Sequence, residues 1–427
     1  MRTLLLLALA ITLAASVSLV EEYFTAMEKY HGTTLMSAGD GTTERERFRN
    51  FKQYKAEIDH INGDDSIPYS AEVNMFSTLT EAERRQYTGL NISEYSEEET
   101  NMHLSAEPIL PTSSQPSYVD WVSRGANPPM KDQRGCGSCW AFGTVSAIES
   151  TYYLTTGDRV SFAEQELLDC TYERQGKNGC DGGWLSQPID YVKHTRRLAS
   201  SRDKIYNERD GSCSYSRVAN SLTKARVTGY KTYRGDSGLL SGVTKGIVSA
   251  AIYVGSSFHV YKNGIYQDVS GCRGKPANHA VSVVGYGNTG GRNYWRLRNS
   301  WGTQWGDKGY IRISRDVSSN CGISDHVYRP LMQCTGNCKP PKFNKQEQEQ
   351  FNDNSGSECK NLSKDAYCGK FTRYCKKGSK YHRFMAKNCR KTCRLCEDSN
   401  SGKCPSGTVR CSDGICKHEH MCHFRGV

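Results

Sequence analysis

Beyond its first twenty residues the sequence has no apolar run long enough to cross a bilayer, which excludes a transmembrane helix from the reading. It also has little net charge over most of its length. Of 56 Lys and Arg, 16 fall from Cys359 onward, with only 5 of the 45 Asp and Glu, so the residues before Cys359 balance to zero. Residues 340–357 carry no aliphatic side chain and build no core; two prolines and a Gln, Glu and Asn-rich stretch read as a linker. Cys404, Cys411, Cys416 and Cys422 have no cluster of carboxylates among them, which excludes a calcium cage there.

Cysteine itself is abundant. Nineteen in 427 residues indicate an oxidising compartment, and the length indicates two or more domains. Arg2, the apolar run Leu4 to Ala15 and the small residues Ser16 and Ser18 make a signal peptide, residues 1–18, cleaved near residues 16 to 20. The expected location is the secretory pathway, extracellular or lysosomal, with nucleic acid excluded as a partner. The basic excess at the C-terminal end implies anionic partners.

The chain is organised around Lys131 to Phe142, KDQRGCGSCWAF. Cys139 stands directly before an apolar, helix-like run: Trp140, Ala141, Phe142, Val145, Ile148 and Tyr152. A thiol at a helix start sees the positive end of the dipole, which favours thiolate. Gly135 and Gly137 leave room for a peptide backbone beside the sulfur. Taken alone, a cysteine here is an inert buried residue, and Cys136 with Cys139 could be a redox pair or half a zinc site.

The whole stretch resembles the active-site segment of papain-like cysteine proteases, from Gln133 six residues before the cysteine to Trp140 after it. SFAEQELLDC (Ser161–Cys170), CDGGW (Cys180–Trp184), NHAVSVVGYG (Asn278–Gly287) and YWRLRNSWG (Tyr294–Gly302) continue the likeness. It implies an α+β, two-lobed papain-like fold, a helical lobe with Cys139 and a β-barrel-like lobe with His279, and a catalytic domain over 115–332. In the last stretch Trp295, Leu297 and Asn299 alternate with Arg296 and Arg298 on the opposite face.

The resemblance assigns catalysis to Cys139 as nucleophile, His279 as proton shuttle and Asn299 as the residue that fixes the ring, with Trp301 covering that bond. Gln133 and the Cys139 N–H form the oxyanion hole. Gly137, Gly183, Leu185, Ala251, Ala277, Asn278, Trp301 and His326 are expected around the substrate, with His326 at the pocket floor. That pocket is expected to take bulky apolar side chains, and acidic ones once His326 is charged below about pH 6.5. The family pattern pairs Cys136 with Cys180, Cys170 with Cys213 and Cys272 with Cys321; Cys334 with Cys338 completes the count and leaves Cys139 free. No cofactor and no metal are expected. No cleft-blocking loop of an exopeptidase is recognisable, so endopeptidase is the expectation.

Residues 19–114 read as an inhibitory prosegment. TERERFRNFKQYKAEIDHIN sets Phe48, Phe51, Ile58 and Ile61 at helical spacing. Arg47, Phe51, Ile58 and Asn62 fit the family's spaced signature, whereas Thr43, Asn50 and Tyr54 depart from it. Asn74 and Phe76 match a second element, in which Glu72 and Thr78 replace the usual Gly and Asp. Pro108, Pro111 and Pro116 make an extended stretch, with the maturation cut expected between about residues 106 and 116. Asn91 and Asn361 open N-glycosylation sequons.

After the linker, 333–358, six cysteines in residues 359–396 resemble the ShKT domain, named after potassium-channel toxins. That likeness implies Cys359 with Cys396, Cys368 with Cys389 and Cys375 with Cys393. It also puts Lys380 and Tyr381 at the toxins' channel-plugging pair, so a potassium channel or an anionic surface is the expected partner of this module. Residues 397–427 read as a basic cysteine-rich tail, faintly like half of an LDL-receptor class A repeat. The expected function is a cysteine endopeptidase made as a secreted zymogen, acting on peptide and protein substrates and inhibited by its own prosegment. The alternatives are a secreted binding or channel-modulating protein carried by the ShKT module, and a C-x-x-C redox or zinc protein.

Overall fold

The structure is a computed structural model that describes residues 18–32, 41–90, 116–171, 179–214, 218–317 and 320–343, with two short strands at 409–410 and 416–417. The chain divides into two units, one of residues 1–109 and 117–344, the other of residues 110–116 and 345–427. In the second unit Val409–Arg410 and Cys416–Lys417 pair antiparallel. Residues 1–17 of the signal peptide, residues 106–115 of the maturation stretch, Asn91, Asn361, Lys380, Tyr381 and the six ShKT cysteines lie outside the described residues.

In the first unit, helix α1 (18–32) meets helix α2 (Gly41–Gly63) through aromatic edges: Tyr23 lies 5.1 Å from Phe48 and 5.5 Å from Phe51. The helical spacing read from the sequence holds. Phe51 is buried against Tyr23 and Met27; Tyr54 is buried about one turn on, and Ile58 and Ile61 two to three turns on. Asn62 closes both bonds on Ala71, donating to its carbonyl and accepting from its N–H, each at 2.9 Å. That fixes strand β1 (Tyr69–Ala71), which adds to the edge of the main sheet.

A turn at Met75–Ser77 follows, capped reciprocally by Asn74 and Ser77. Helix α3 (Glu81–Arg85) has the same kind of box from Thr80 and Glu83. Glu83 also takes Arg47 Nη1 at 2.7 Å, so one carboxylate caps α3 and ties it to α2. The residues that break the family signature have partners of their own. Asn50 donates to the Leu79 carbonyl at 3.0 Å, Glu72 accepts Lys262 at 2.8 Å, and the Thr78 hydroxyl meets His31 at 2.6 Å.

The second part of this unit starts at β2 (Val119–Asp120). Its helical lobe holds α4 (Cys139–Thr156), α5 (Glu164–Cys170) and α6 (Ser186–Thr195). α4 is buried almost all round, polar residues included, so it has no solvent stripe. The other lobe consists of β3 (Ala225–Tyr233), β4 (Val248–Ile252), β5 (Tyr261–Tyr266), β6 (His279–Thr289), β7 (Arg292–Arg298), β8 (Tyr310–Ser314) and β9 (Val327–Cys334). They form one sheet in the order β1-β5-β8-β7-β6-β4-β9-β3, with β2 on β6; only β5 and β8 are parallel neighbours.

Disulfides join Cys136 to Cys180, Cys170 to Cys213, Cys272 to Cys321 and Cys334 to Cys338. Among the described residues Cys139 is the free cysteine. Arg296 and Arg298 share a face of β7 but not its exposure: Arg298 is buried, and its guanidinium donates to the Pro129 carbonyl. The loop at Pro128–Pro129 folds over that face of β7, so strict alternation there does not mean exposure.

Candidate active site

Cys139 opens α4 after a tight turn in which Ser138 N–H donates to the Cys136 carbonyl at 2.7 Å and Gly137 N–H to the Cys180 carbonyl at 3.0 Å. A Cβ at Gly137 would stand 2.4 Å from the Cys180 carbonyl oxygen, so the close approach requires glycine. α4 packs on β6, where the Ser282 hydroxyl donates to the Gly143 carbonyl at 3.0 Å. β6 and β7 run antiparallel with Ser282 opposite Arg298, which brings the start of β6 beside the end of β7. His279 is the first residue of β6, and Asn299 directly follows β7.

His279 Nε2 and Asn299 Oδ1 are 2.8 Å apart. The same Oδ1 accepts the Ser300 N–H at 2.8 Å, which sets the amide's orientation. Nε2 therefore carries the proton, and Nδ1 of the neutral ring is the free lone pair, without a hydrogen-bond partner. The Trp301 ring covers the pair, 4.9 Å from His279.

Gln133 is fully buried. Its N–H donates to the Ser300 carbonyl at 2.8 Å, and its Oε1 accepts the Ser300 hydroxyl at 2.5 Å. That orients Nε2, which donates to the Cys136 carbonyl at 2.9 Å and to the Tyr87 carbonyl at 3.2 Å.

Tyr87 belongs to the N-terminal segment, which lies in the cleft. Its carbonyl also accepts Trp301 Nε1 at 3.0 Å. Gly89 and Leu90 N–H donate to the Asn278 carbonyl at 3.3 and 3.2 Å, and Gly183 N–H donates to the Gly89 carbonyl at 3.0 Å. Leu90 thus runs parallel to Gly183. Phe76 anchors this path on an aromatic floor: Trp301 at 4.5 Å, His259 at 4.8 Å and Tyr87 at 5.0 Å.

Burial dominates the electrostatics. It pushes the Cys139 thiol up to about 12, against the opposing pull of the N–H groups of Ala280, Gly89, Trp140 and Cys139 itself. Burial also holds His279 down at about 4, and the Asn299 bond recovers only part of that. With the segment in place the pair is thiol and neutral imidazole. Desolvation in this covered state opposes the thiolate that a helix start favours.

Leu185, Ala251 and partly buried Ala277 pack in one apolar cluster with Trp184 and Tyr328. The Ala251 N–H donates to the His326 carbonyl at 3.0 Å, and the His326 ring meets Trp184 edge-on at 5.3 Å. Burial and then Arg234 lower His326 to about 4. The expectation that it charges below about pH 6.5 is corrected accordingly: here it stays neutral down to about 4. Among the described residues no three His, Cys, Asp or Glu side chains come together as metal ligands.

Sequence reasoning missed Tyr87, Ser300 and His259. Ser300 was readable, lying between Asn299 and Trp301. The others sit in stretches with no motif.

Residues 115–331 match the model of the papain family cysteine proteases, and residues 358–396 match an ShK domain-like model. Digestive cysteine proteinase 2 of Homarus americanus is 33% identical over 312 residues, covering 71% of this chain and 92% of that protein. Ananain of Ananas comosus is 33% identical over 67% of this chain and 81% of its own. Two solved precursors superpose with TM-scores of 0.63 at 30% identity. They are recombinant stem bromelain precursor, covering 74% of this chain and 99% of its own, and digestive procathepsin L2 proteinase of Tenebrio molitor larval midgut, covering 73% and 99%.

Proposed function

The chain belongs to the papain family of cysteine proteases, and from that premise we propose a secreted endopeptidase zymogen whose prosegment is residues 19–114. The observation that carries this reading is the position of the Tyr87 carbonyl on Gln133 Nε2, two residues before Gly89, whose N–H faces the Cys139 thiol. A prosegment carbonyl rests on the amide that would hold a reacting substrate oxygen.

Once the segment leaves, water enters and the burial penalty on both groups falls. The Cys139 proton then passes to His279 Nδ1, giving thiolate and imidazolium, with Asn299 holding the ring through Nε2. Sγ attacks the scissile carbonyl carbon. The carbonyl oxygen becomes an anion held by Gln133 Nε2–H and the Cys139 N–H. The tetrahedral carbon collapses, its C–N bond breaks, and His279 Nδ1 gives its proton to the leaving amine. A thioester on Cys139 remains. Water then attacks it and loses a proton to His279. The acid leaves, and the thiol is restored.

Leu185, Ala251 and Ala277 support a preference for a bulky apolar side chain, with Gly137, Gly183 and Asn278 offering backbone to the substrate. His326 acts there as a neutral polar group across the working range. The basic ShKT module and tail support docking to anionic surfaces outside the cell or in the lysosome.

The test is acid treatment of the recombinant full chain, with N-terminal sequencing, a peptide-library assay and iodoacetamide labelling. Expected are a new N-terminus between about residues 106 and 116, internal cuts in peptides and loss of activity on alkylation of one thiol. Cys139→Ser should abolish all cutting. A processed chain that cuts no peptide, or that keeps its activity after alkylation, overturns the reading.

A further inference from the structure

We propose that Tyr206 is a positioning residue for the oxyanion hole, an assignment that rests on the protease reading. Its hydroxyl lies 2.7 Å from the main-chain carbonyl of Gln133 and 2.9 Å from Ser138 Oγ. A carbonyl only accepts, so the single phenol proton goes to Gln133. The Ser138 hydroxyl then donates to the phenol oxygen at 2.9 Å in preference to the Cys136 carbonyl at 3.4 Å, and the chain has one direction: Ser138 to Tyr206 to Gln133.

These two residues frame the two oxyanion donors. Gln133 carries the side-chain amide. Ser138 immediately precedes the Cys139 N–H, and its own carbonyl accepts the Ala141 N–H at 2.9 Å in the first turn of α4. The donors thus sit on separate segments, a loop and a helix start, and one phenol spans both. Their separation decides how well a transient oxyanion is held, because hydrogen-bond strength falls steeply with distance and angle.

The phenol is held in place from outside the site. Its ring meets Phe142 edge-on at 4.9 Å. The next residue, Asn207, donates its N–H to Gln165 Oε1 at 3.0 Å, and Gln165 Nε2 donates to the Arg209 carbonyl at 2.8 Å. Gln165 is buried on α5. The helical lobe therefore fixes the loop, and the loop fixes the bridge. Burial pushes the phenol above its ordinary value, so it remains a donor through neutral and acid pH. Ring packing alone does not require the hydroxyl, since a phenylalanine would make the same edge contact.

Tyr206→Phe in the acid-processed full chain is the test. The expected result is a kcat lower by about tenfold with KM within about twofold, a fraction of the loss from removing a donor outright. A peptide aldehyde, whose adduct with Cys139 places its oxygen on Gln133, should bind weaker by the same factor. Its binding is read by protection of Cys139 from alkylation, so no turnover is needed. The rate and pH profile of reaction with dipyridyl disulfide, which read only the Cys139–His279 pair, should not move.

Unchanged kcat and aldehyde affinity overturn the assignment. So does an equal loss in the disulfide reaction, which would make the role a general structural one. Wild-type protein that binds no aldehyde overturns the protease reading, and this assignment with it. Wild type that binds aldehyde no tighter than Tyr206→Phe overturns this assignment alone. Should Tyr206→Phe not fold, Ser138→Ala opens the bridge from its other end. A twofold to threefold loss of aldehyde affinity supports the proposal, and no loss overturns it.

Discussion

The Tyr54 hydroxyl stands 3.2 Å from Nδ1 of His259, joining the long N-terminal helix α2 to the four-residue helix α7 (Ser256–His259) that precedes β5. Phe76 and Trp301 flank the same imidazole at 4.8 and 5.6 Å. Asn74 Nδ2 and Trp305 Nε1 both donate to the His259 carbonyl, at 2.8 and 2.9 Å. The backbone is satisfied, but Nε2 is buried with no partner. Burial, then the Arg84 guanidinium on α3 and His279 on β6, hold this histidine down at about 3.

Prosegment docking should therefore weaken with acid through His259. The docked ring takes its proton near pH 3, whereas a released one returns toward its ordinary 6.5. A depressed value means the contribution to docking is complete above about pH 6.5 and falls by up to about tenfold per unit below it. It is gone near pH 3. His31, lowered by burial and then by Arg47, makes the segment's own fold acid-sensitive in the same sense. The rate at which the full chain gains activity, measured from about pH 7 to 4.5, should rise less steeply in His259→Gln. An unchanged profile would remove His259 from the release step.

Gly89→Ala should unlock the zymogen at neutral pH. A Cβ there would stand 1.9 Å from the Gly137 carbonyl oxygen, backbone that cannot move without disturbing the turn before Cys139. Relief requires the Gly89–Leu90 strand to rise from the cleft, breaking its bonds to Asn278 and Gly183. With three hydrogen bonds at about 1 kcal/mol each, docking should weaken by about a hundredfold. Iodoacetamide labelling of Cys139 in the unprocessed chain at neutral pH reads this directly. Labelling as slow as in wild type would show that the strand is not what shields the thiol.

Gln133→Ala should cost about 3 kcal/mol of transition-state binding, roughly a hundredfold in kcat, with little change in KM. It should also loosen the prosegment, since the Tyr87 carbonyl loses one of its two donors. Steady-state kinetics on the processed enzyme and labelling of the zymogen measure the two effects separately. A loss confined to KM would place Gln133 in ground-state binding instead.

The parts of the site that were legible are those carried by short stretches of rigid chemistry. KDQRGCGSCW holds Gln133 and Cys139 within seven residues. NHAV and NSWG end or begin strands, where His279 and Asn299 must meet once β6 and β7 pair. The helical period of α2 was legible because it is local. Contacts between distant stretches were not. Tyr206 reaches Gln133 across 73 residues, and Tyr54 reaches His259 across 205, with no pattern around either partner. Arg298 shows the limit of periodicity. Its face of the strand was read correctly, but the loop that buries that face arrives from Pro128–Pro129, and no local pattern announces it.

Lys131 opens the central motif and makes the clearest case for stability. Its Nζ lies 2.8 Å from Glu149 Oε1, 2.7 Å from Glu164 Oε1 and 2.9 Å from the Phe162 carbonyl. Both carboxylates are buried, on α4 and α5, and Glu149 also accepts the Phe162 N–H at 2.7 Å. One ammonium therefore joins two helices and the loop between them. Lys131→Met preserves the apolar stem and removes the charge, leaving two buried carboxylates facing each other. Removing one member of a buried ionic group costs about 3–5 kcal/mol, because the residual charge stays desolvated. The midpoint of urea unfolding of the zymogen should fall accordingly. Adding Glu149→Gln should recover most of the loss, since the one carboxylate left, Glu164, then faces the buried Arg298 cation without a second anion beside it. If Lys131→Met were neutral while Glu149→Gln alone destabilised, the triad would be held by its hydrogen bonds and not by its charge.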